Sequence, residues 1–537
     1  MKSFGRFFSV FLACASLQCS SGPKNTAQNL DVFRYNVYGG ISSLDPAFAR
    51  NPRNIWPVNQ MFNGLVQLDH ELNIVPEIAQ SWDISADGLL YTFQLRDDVY
   101  FHESSLFGPE KTREVVASDF VYSFNRLNAP EVGSPGAWVL NTVAAYKALD
   151  THTFQVQLKY PFPAFLGLLT MRYCSVVPRE VVEHFGEDFR QHPIGTGPFY
   201  FKRWEEEVKL VLRKNPRYFE KDSRGQQLPY LEAVSIRFIE DLQSEFLLFM
   251  QGELDFLNSL DASYKDELLT AEGNLQQKYA DKLQIIKGPY LNTEYIGFYL
   301  DQDHPALRSP EIREAINIGF DRKQMLRYLR NNIGNEASQG IIPKGLAGTS
   351  STSWEYNPER AKQLVQAFEK KHNLKPKLRL ATDANYLDIC EFLQRELQKV
   401  GIDIQIDLMP PASLRQAKSS GKLEMFRASW IADYPDAENY LSLFYSKNFS
   451  PRGPNYTHYR NETFDGQYEL ALNTLAPEKR KILYQQMDSL AMQDYPIVPL
   501  YYDEVIQFIP KNIKGLVPNP INLLHLKRVY KTKDHSQ

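Results

Sequence analysis

The sequence predicts an α/β protein with more than one domain. Its 537 residues are too many for one hydrophobic core of ordinary size, so two or three domains are expected. Hydrophobic residues make up 43% of the chain and charged residues 23%, which is the ordinary balance of a globular protein. Strand-like runs with alternating apolar residues are interspersed with helix-like segments along the chain.

The first residues form an export signal and not part of the fold. Two basic residues precede a short apolar stretch at 7–13, far below the roughly 20 residues needed to span a bilayer. Cys14 and Cys19 stand where a lipoprotein signal places its acylated cysteine. We favour Cys19, with a signal peptide over 1–18, because the small and polar residues 20–23 begin a flexible tether. The alternative is an ordinary cleaved signal with incidental cysteines.

Charge and composition narrow the class of partner. The net charge is −4 and no block of five or six like charges occurs, so the sequence predicts no nucleic-acid partner. Each of the 30 tyrosines has a flat apolar ring with one polar group, which suits the binding of ligands that have both polar and apolar parts. Most of these tyrosines are nevertheless expected to fill hydrophobic cores. Cys174 and Cys390 are the only cysteines beyond the signal, and no second apolar segment of membrane length occurs.

Local signals place the elements in the first third of the chain. Asp87-Gly88 is a hairpin turn signal between two alternating runs over 79–96. Ser118 is the predicted N-cap of a helix that ends at Asn128. The other predicted elements here are strands at 30–38 and 64–68 and a helix at 55–62.

The rest of the chain continues the alternation of strands and helices. Asn357-Pro358 opens a helix, as a cap followed by a proline in the first helical position. Further helices are predicted at 241–251, 312–322 and 437–446, and strands at 208–213, 234–239, 295–300, 402–408 and 425–432.

The end of the predicted strand at 425–432 is the best candidate for a site. It is followed by Asp433, whose carboxylate is flanked by the aromatic residues Trp430 and Tyr434. A carboxylate at the end of a buried strand has few groups to solvate it and is a natural counter-charge for a cation. The alternative is that Asp433 only caps the turn before the next helix.

Ordered motifs then identify a family. They are Ala-Gln-Ser-Trp at 79–82, Asp-Gly-Leu-Leu-Tyr-Thr-Phe-Gln-Leu-Arg at 87–96, Val-Tyr-Phe-His at 99–102, Ala-Ser-Asp-Phe-Val-Tyr-Ser at 117–123, Ile-Gly-Thr-Gly-Pro-Phe at 194–199 and Trp-Ile-Ala-Asp-Tyr at 430–434. This pattern resembles the family 5 solute-binding proteins of ABC importers. The sequence departs from the family pattern at a few positions, which alter only a loop and the local sequence of two helices. These positions are Glu103-Ser104, Phe120 and Gly319-Phe320.

The resemblance implies a two-lobed periplasmic-binding-protein-like fold with an extra subdomain in lobe one. Residues 25–54, 195–290 and 503–537 are expected to form the sheet domain of lobe one, 55–194 the inserted subdomain and 291–502 lobe two. The chain is expected to cross between the lobes near 289–290 and 501–502.

The resemblance also implies a function and a site. The protein is expected to capture peptides in the cleft between its lobes and to deliver them to an ABC transporter permease. Asp433 would bind the peptide ammonium, the main chain of Trp430, Ile431 and Ala432 would offer a pairing edge, and Trp430 and Tyr434 would line the cleft. From lobe one, residues 38–43 are a weaker candidate. A monomer is expected at the cell surface or in the periplasm, tethered through Cys19, with no metal or other cofactor.

Two alternatives remain open at this point. The same fold could bind a nickel chelate, haem, a sugar or an antibiotic, although Asp433 favours a ligand that bears an amine. The alternative from another class is a secreted hydrolase that uses Asp433 and Asp436. Little else indicates catalysis: the histidines lack metal-ligand spacing, no Gly-x-Ser-x-Gly motif occurs, and residues 195–197 are better explained as a tight turn than as a phosphate loop. The sequence assigns neither the partner of the peptide carboxylate nor the peptide length.

Overall fold

The computed structural model describes residues 31–258, 261, 264–350 and 352–532. Cys14, Cys19 and the rest of the predicted signal lie outside these residues. The helices are α1 (Pro52–Met61), α2 (Ala117–Asn128), α3 (Phe165–Leu169), α4 (Arg179–Phe185), α5 (Leu242–Met250), α6 (Lys265–Leu268), α7 (Pro305–Arg308), α8 (Pro310–Ile318), α9 (Arg322–Arg330), α10 (Pro358–His372), α11 (Leu387–Lys399), α12 (Pro411–Ser419), α13 (Glu438–Leu441), α14 (Glu462–Leu472) and α15 (Pro477–Asp494).

Three larger sheets organise the strands. The strands are β1 (Val32–Asn36), β2 (Val66–Leu68), β3 (Ile74–Pro76), β4 (Ala79–Ile84), β5 (Leu90–Leu95), β6 (Val143–Ala148), β7 (Thr153–Leu158), β8 (Phe199–Glu205), β9 (Lys209–Lys214), β10 (Ala233–Arg237), β11 (Leu257–Asn258), β12 (Leu283–Phe298), β13 (Asn335–Glu336), β14 (Lys377–Thr382), β15 (Asp403–Leu408), β16 (Met425–Ile431), β17 (Ile497–Pro510), β18 (Ile513–Lys514) and β19 (Tyr530–Lys531). The sheet orders are β1-β10-β9-β8, β4-β5-β7-β6 and β11-β17-β12-β16-β14-β15, with β13 also paired to β17. Two-stranded pairs β2–β3 and β18–β19 accompany them.

The buried apolar side chains form separate cores, and the two largest cores draw most of their members from different parts of the chain. The largest draws its buried members from residues 291–501, within the predicted lobe two. The inserted subdomain has its own core, from Leu65 to Val176 with a few later residues. Helix α4 and most of α1 fall inside the predicted range 55–194, yet their buried apolar residues belong to the core of the β1-β10-β9-β8 sheet. The bounds of the inserted subdomain stay a prediction.

Two long antiparallel strands join the lobes. Strand β12 pairs with β17 along most of its length, but the register shifts between Pro289 and Thr293 and again between Glu294 and Tyr295. On one side of the first shift the ribbon pairs with β11, and on the other side with β13 and β16. The crossing between the lobes near 289–290 stays a prediction. A ribbon whose ladder is interrupted has its weakest resistance to bending at the interruption.

Two of the sequence motifs meet at His102. Its backbone N–H donates to Gly195 O at 2.7 Å, its Nε2 lies 3.0 Å from Gly197 O, and the Gly195 N–H donates to its Nδ1 at 3.3 Å. A Cβ on Gly195 would lie 2.1 Å from Met61 O, so only glycine permits this approach. The other residues of the Val-Tyr-Phe-His motif face a different segment. The Phe101 N–H donates to Arg113 O at 3.1 Å, the Val115 N–H donates to Val99 O at 2.9 Å, and Tyr100 forms an isolated bridge with Glu114.

Local signals predicted some helix ends correctly and others wrongly. Asn357 caps α10 with Pro358 in the first turn, as predicted. Asp241, predicted as the first residue of its helix, is instead the cap of α5. The predicted cap at Ser118 is wrong, because α2 begins after Val116, whose N–H is bonded by the carboxylate of Asp119. The helix predicted over 437–446 shrinks to the four residues of α13.

Candidate ligand site in the interlobe cleft

Strand β16 carries an unpaired edge at its C-terminal end. It pairs with β12 from Met425 to Ile431, but with β14 on its other side only at Met425 and Phe426. The Ala432 N–H donates to Leu291 O at 2.9 Å, which fixes the alternate residues that bond to β12. The main-chain groups of Ser429 and Ile431 therefore point the other way. We refer to these groups as the open edge.

The residues of the open edge differ in part from those predicted to pair with a ligand. Of the three residues predicted to pair, Ile431 points its main chain outward, while Trp430 and Ala432 point theirs towards β12. Ser429 takes their place, and it was missed because the sequence does not show where β14 stops pairing. The side chain of Ile431 is 43% exposed, so the edge is accessible. An accessible strand edge is able to accept a further extended segment.

Asp433 follows the open edge and lies near the inserted subdomain. Its side chain keeps contact with solvent, yet enough protein surrounds it that burial raises its pKa above the ordinary value, against the effect of the Asn439 amide. Burial, together with the charge of Asp433, raises the pKa of Tyr173 to about 12. Tyr173 belongs to the subdomain, so this carboxylate and phenol come from different lobes. A carboxylate with reduced hydration is stabilised when a cation replaces its water.

Asn439 holds the end of the strand in place. Its Oδ1 accepts the indole N–H of Trp430 at 2.8 Å and the backbone N–H of Asp433 at 3.4 Å. The amide thereby fixes both the Trp430 ring and the start of the turn that presents Asp433. Sequence reasoning missed this residue, since nothing in its local context distinguishes it from other asparagines.

The turn after β16 is capped by Asp436 and not by Asp433. Asp436 Oδ1 accepts the N–H of Glu438 at 3.0 Å, and its Oδ2 lies 3.2 Å from Arg480 Nη2. Among the described residues, no backbone N–H of this turn bonds to the Asp433 carboxylate. The capping explanation for Asp433 therefore loses its support. Asp436 is also occupied by its two partners, which weakens the pairing of both acids in a hydrolase.

Tyr434 is buried at the contact between the lobes. Its side chain is 5% exposed and packs with the core of the inserted subdomain, close to Gly167. Its hydroxyl donates to Glu438. In this arrangement the ring is covered, so it cannot line the open part of the cleft as the sequence analysis expected.

A cavity of about 1100 Å³ lies between the two lobes. Lobe one contributes Tyr38, Asn51 and Trp56, and lobe two contributes Arg330 and Tyr386. The weaker candidate segment at 38–43 lies between this cavity and a second one within lobe one, because Tyr38 lines the first while Ser42 and Ser43 line the second. The space suffices for side chains of several residues.

Buried ion pairs surround the crossing strands next to the cavity. Arg427 of β16 is paired with Glu294 of β12, and Arg330 is paired with Asp503 of β17 at 2.7 Å. Asn292 donates to Glu294 at 3.0 Å and lies 3.4 Å from Asp503, which links the two pairs. Burial raises the pKa of Glu294, and the charge of Arg427 opposes that rise. The only sequence signal was an acid within each of two apolar strands.

The described residues offer neither a metal-binding cluster nor a membrane-spanning helix. No group of three or more His, Cys, Asp or Glu residues in this part of the chain is placed to hold a metal ion. No helix among the same residues combines the length and the apolar character required to cross a bilayer. Cys174 and Cys390 are both buried and free.

Comparison with known proteins agrees with this geometry. Residues 73–451 match the family described as bacterial extracellular solute-binding proteins, family 5 Middle. One curated relative is the glutathione-binding protein GsiB of Salmonella typhi, which is 24% identical over 488 residues. The alignment covers 89% of this chain and 90% of GsiB.

Solved structures show the same fold. The periplasmic binding protein DppA of Helicobacter pylori, in complex with the peptide STSA, superposes with a TM-score of 0.77 at 24% identity, covering 94% of this chain and 98% of its own. HbpA2 of Haemophilus parasuis gives a TM-score of 0.80 at 22% identity, covering 94% and 100%. The two-lobed α/β fold is confirmed, and the match to more than half of its length shows that this chain belongs to the family 5 bacterial extracellular solute-binding proteins.

Proposed function

We propose that this protein is an extracytoplasmic receptor that captures peptides between its lobes and delivers them to the permease of an ABC importer. The observation that carries the proposal is the open edge of β16 followed directly by the Asp433 carboxylate. An extended peptide has the two matching features, a main chain with unpaired N–H and C=O groups and a terminal ammonium.

The geometry explains how peptides of different sequence would be accepted. Pairing with Ser429 and Ile431 uses only the peptide main chain, and Asp433 uses only its ammonium. The side chains would project into the interlobe cavity, where water is able to fill the space that a small side chain leaves. The relatives support this ligand class, because the GsiB name and the DppA complex both concern peptides. We propose a monomer without a cofactor.

The central test is a four-way calorimetric comparison. The parent and Asp433→Asn would each be titrated with a short peptide and with its N-acetylated form. Removing one member of a buried charge pair typically costs about 2–5 kcal/mol, so we expect the parent to bind the free peptide roughly 30-fold to several thousand-fold better than either single change allows. The coupling follows directly from the four affinities.

Asp436→Asn is the matched control for this test. It removes the charge of a nearby acid that caps a turn and pairs with Arg480. We expect it to lower thermal stability while leaving the free-to-acetylated ratio of the parent intact. If the parent binds free and acetylated peptides equally well, the ammonium role of Asp433 is wrong even though peptides bind.

The ligand that stays bound to the purified protein distinguishes a peptide receptor from a receptor for another class of ligand. Mass spectrometry of small molecules released from natively exported protein would identify a peptide, a metal chelate or a sugar. Incubation with peptide and glycoside mixtures tests the hydrolase alternative, since a receptor returns its ligand intact. Turnover that is lost in Asp433→Asn and in Asp436→Asn would overturn the receptor proposal.

We also propose that the mature chain is tethered to a membrane through a lipid on Cys19. This residue lies outside the described part of the structure, and the support is the sequence of the signal and of the tether that follows. Cys19→Ser should release the exported protein from the membrane fraction, whereas Cys14→Ser should leave it bound. The reverse result would move the lipid to Cys14, and an unchanged distribution in both variants would exclude the anchor.

A further inference from the structure

The second cavity, within lobe one, has a volume of about 940 Å³ and no part in the proposed function. We refer to it as the lobe-one cavity. Its walls come from residues 42–54 of the chain and from residues 122–135 and 182–190. Asn51 lines the lobe-one cavity and also the interlobe cavity, so the two spaces adjoin at this residue. A ligand bound between the lobes is therefore able to extend a side chain towards the lobe-one cavity.

Three arginines line the lobe-one cavity, and two of them have a carboxylate partner. Arg126 donates two hydrogen bonds to Asp45, at 3.0 and 2.5 Å, and Arg190 lies 3.7 Å from Glu206. Arg50 is exposed, and its guanidinium forms an ion pair with none of the residues that the structure describes. Its positive charge is thus available to a carboxylate of the ligand.

Packing places Arg50 close to the segment that carries Tyr173. The short helical turn Pro46–Phe48 ends two residues before Arg50 and packs against the turn Arg172–Cys174. The ring of Tyr173 covers Gly136, which follows a residue of the cavity wall, since a Cβ on this glycine would lie 2.2 Å from the ring. Tyr173 and Arg50 therefore belong to one rim of the lobe-one cavity.

Two opposite charges from different lobes act on Tyr173. Burial and the negative charge of Asp433 raise the pKa of this tyrosine, and the positive charge of Arg50 lowers it. Among the described residues, no other charge shifts this pKa, and Asp433 and Arg50 form no ion pair with each other. Opposite charges that lie near one ring without neutralising each other suit a ligand with an ammonium and a carboxylate at the same end.

We propose that Arg50 selects peptides with an acidic first residue, whose side-chain carboxylate it binds at the rim of the lobe-one cavity. This role rests on the proposed function, because Asp433 must bind the ammonium of the same residue. The guanidinium of Arg50 offers donors in the fork geometry that a carboxylate accepts. Glu131 and Glu187 of the inserted subdomain also line the cavity, but neither shifts the pKa of Tyr173.

Calorimetry with three tripeptides tests the role of Arg50. Asp-Ala-Ala and Asn-Ala-Ala differ in charge but hardly in size, and Lys-Ala-Ala carries the opposite charge. We expect the parent to bind Asp-Ala-Ala about tenfold better than Asn-Ala-Ala, the effect of one hydrogen bond to a charged group. Arg50→Gln should bring these two affinities together, and Arg50→Glu should prefer Lys-Ala-Ala to Asp-Ala-Ala. Because Arg50 is exposed, both variants should keep the Tm of the parent.

Arg190→Gln is the matched control, because it removes the same charge from another wall of the cavity. It should keep the preference of the parent for Asp-Ala-Ala. Equal binding of Asp-Ala-Ala and Asn-Ala-Ala by the parent would overturn the role of Arg50, as would a preference that survives in Arg50→Gln. Either result leaves the receptor function intact, since Asn-Ala-Ala binds without Arg50. Failure of the parent to bind any of the three tripeptides would contradict the proposed function as well.

Discussion

The imidazole of His102 is held in one protonation state by its main-chain partners. Gly195 donates to Nδ1, so Nε2 carries the proton and donates to Gly197 O. A proton on Nδ1 would point at the N–H of Gly195, so that two hydrogen-bond donors would face each other. Burial lowers the pKa of His102 to about 4, which agrees with this geometry.

A dependence of stability on pH follows at this residue. The unfolded state takes up a proton near the ordinary histidine pKa of about 6.5, while the folded state resists until about pH 4. The free energy of unfolding should therefore fall as the pH drops through this window, by up to about 3 kcal/mol from His102. His525 acts in the same direction.

Urea unfolding at about pH 7 and about pH 4.5 measures this effect. In His102→Gln the difference between the two conditions should shrink, because glutamine does not titrate. The exposed His184, changed in the same way, should leave the difference as large as in the parent. An undiminished pH dependence in His102→Gln would show that other groups cause it.

At the scale of an element, β16 combines a paired half with an unpaired half. An added peptide strand bonds through alternate residues, because successive N–H groups point to opposite sides. N-methylation of one peptide position should therefore weaken binding by about tenfold, the value of one net hydrogen bond, while the adjacent position tolerates it. Calorimetry on a series of singly methylated peptides measures this. Equal losses at neighbouring positions would argue against strand pairing.

How far the sequence predicts an element depends on where its partners lie. The hairpin of β4 and β5 and the cap at Asn357 rest on neighbouring residues, and both predictions are confirmed. The contact of His102 with Gly195, in contrast, joins residues almost a hundred positions apart, and no local pattern indicates it. The open edge was beyond local reasoning for the same reason, since it depends on the point where β14 leaves β16.

The candidate site was accessible from sequence only in part. A family resemblance pointed to Asp433, and the structure adds its neighbours Asn439 and Tyr173. Tyr173 lies in a distant segment of the chain, and Asn439 is close in sequence but is not distinguished there from other asparagines. Tyr434 looked like an aromatic wall of the cleft, but the side chain packs with the core of the other lobe.

At the scale of the whole molecule, contacts between lobe two and the inserted subdomain oppose bending at the β12–β17 ribbon. Tyr434 packs beside Gly167, and a side chain on Gly88 would collide with Leu475. Ligand bound to both lobes should favour this closed arrangement over an open one. Small-angle scattering should then show a smaller radius of gyration with peptide than without it.

A charged residue at the contact should shift the same equilibrium. Leu475→Asp should enlarge the radius of the ligand-free protein, since it places a charge against the subdomain. Leu470→Asp is the control, because that side chain is 56% exposed and is not a member of either core at the contact. If both variants and the parent keep one radius with and without peptide, the lobes do not move as proposed.

The core of the sheet domain is assembled from the two ends of the chain. Phe33 and Tyr35 of β1 are packed with Ile509, Leu524 and Val529, and Trp56 Nε1 donates to Asn522 O at 2.8 Å. Synthesis delivers these halves almost 500 residues apart. The domain that begins first is thus completed last. If the chain crosses a membrane behind its predicted export signal, the N-terminal domain is still unfolded when the first residues reach the other side. The final residues close lobe one only after lobe two has emerged.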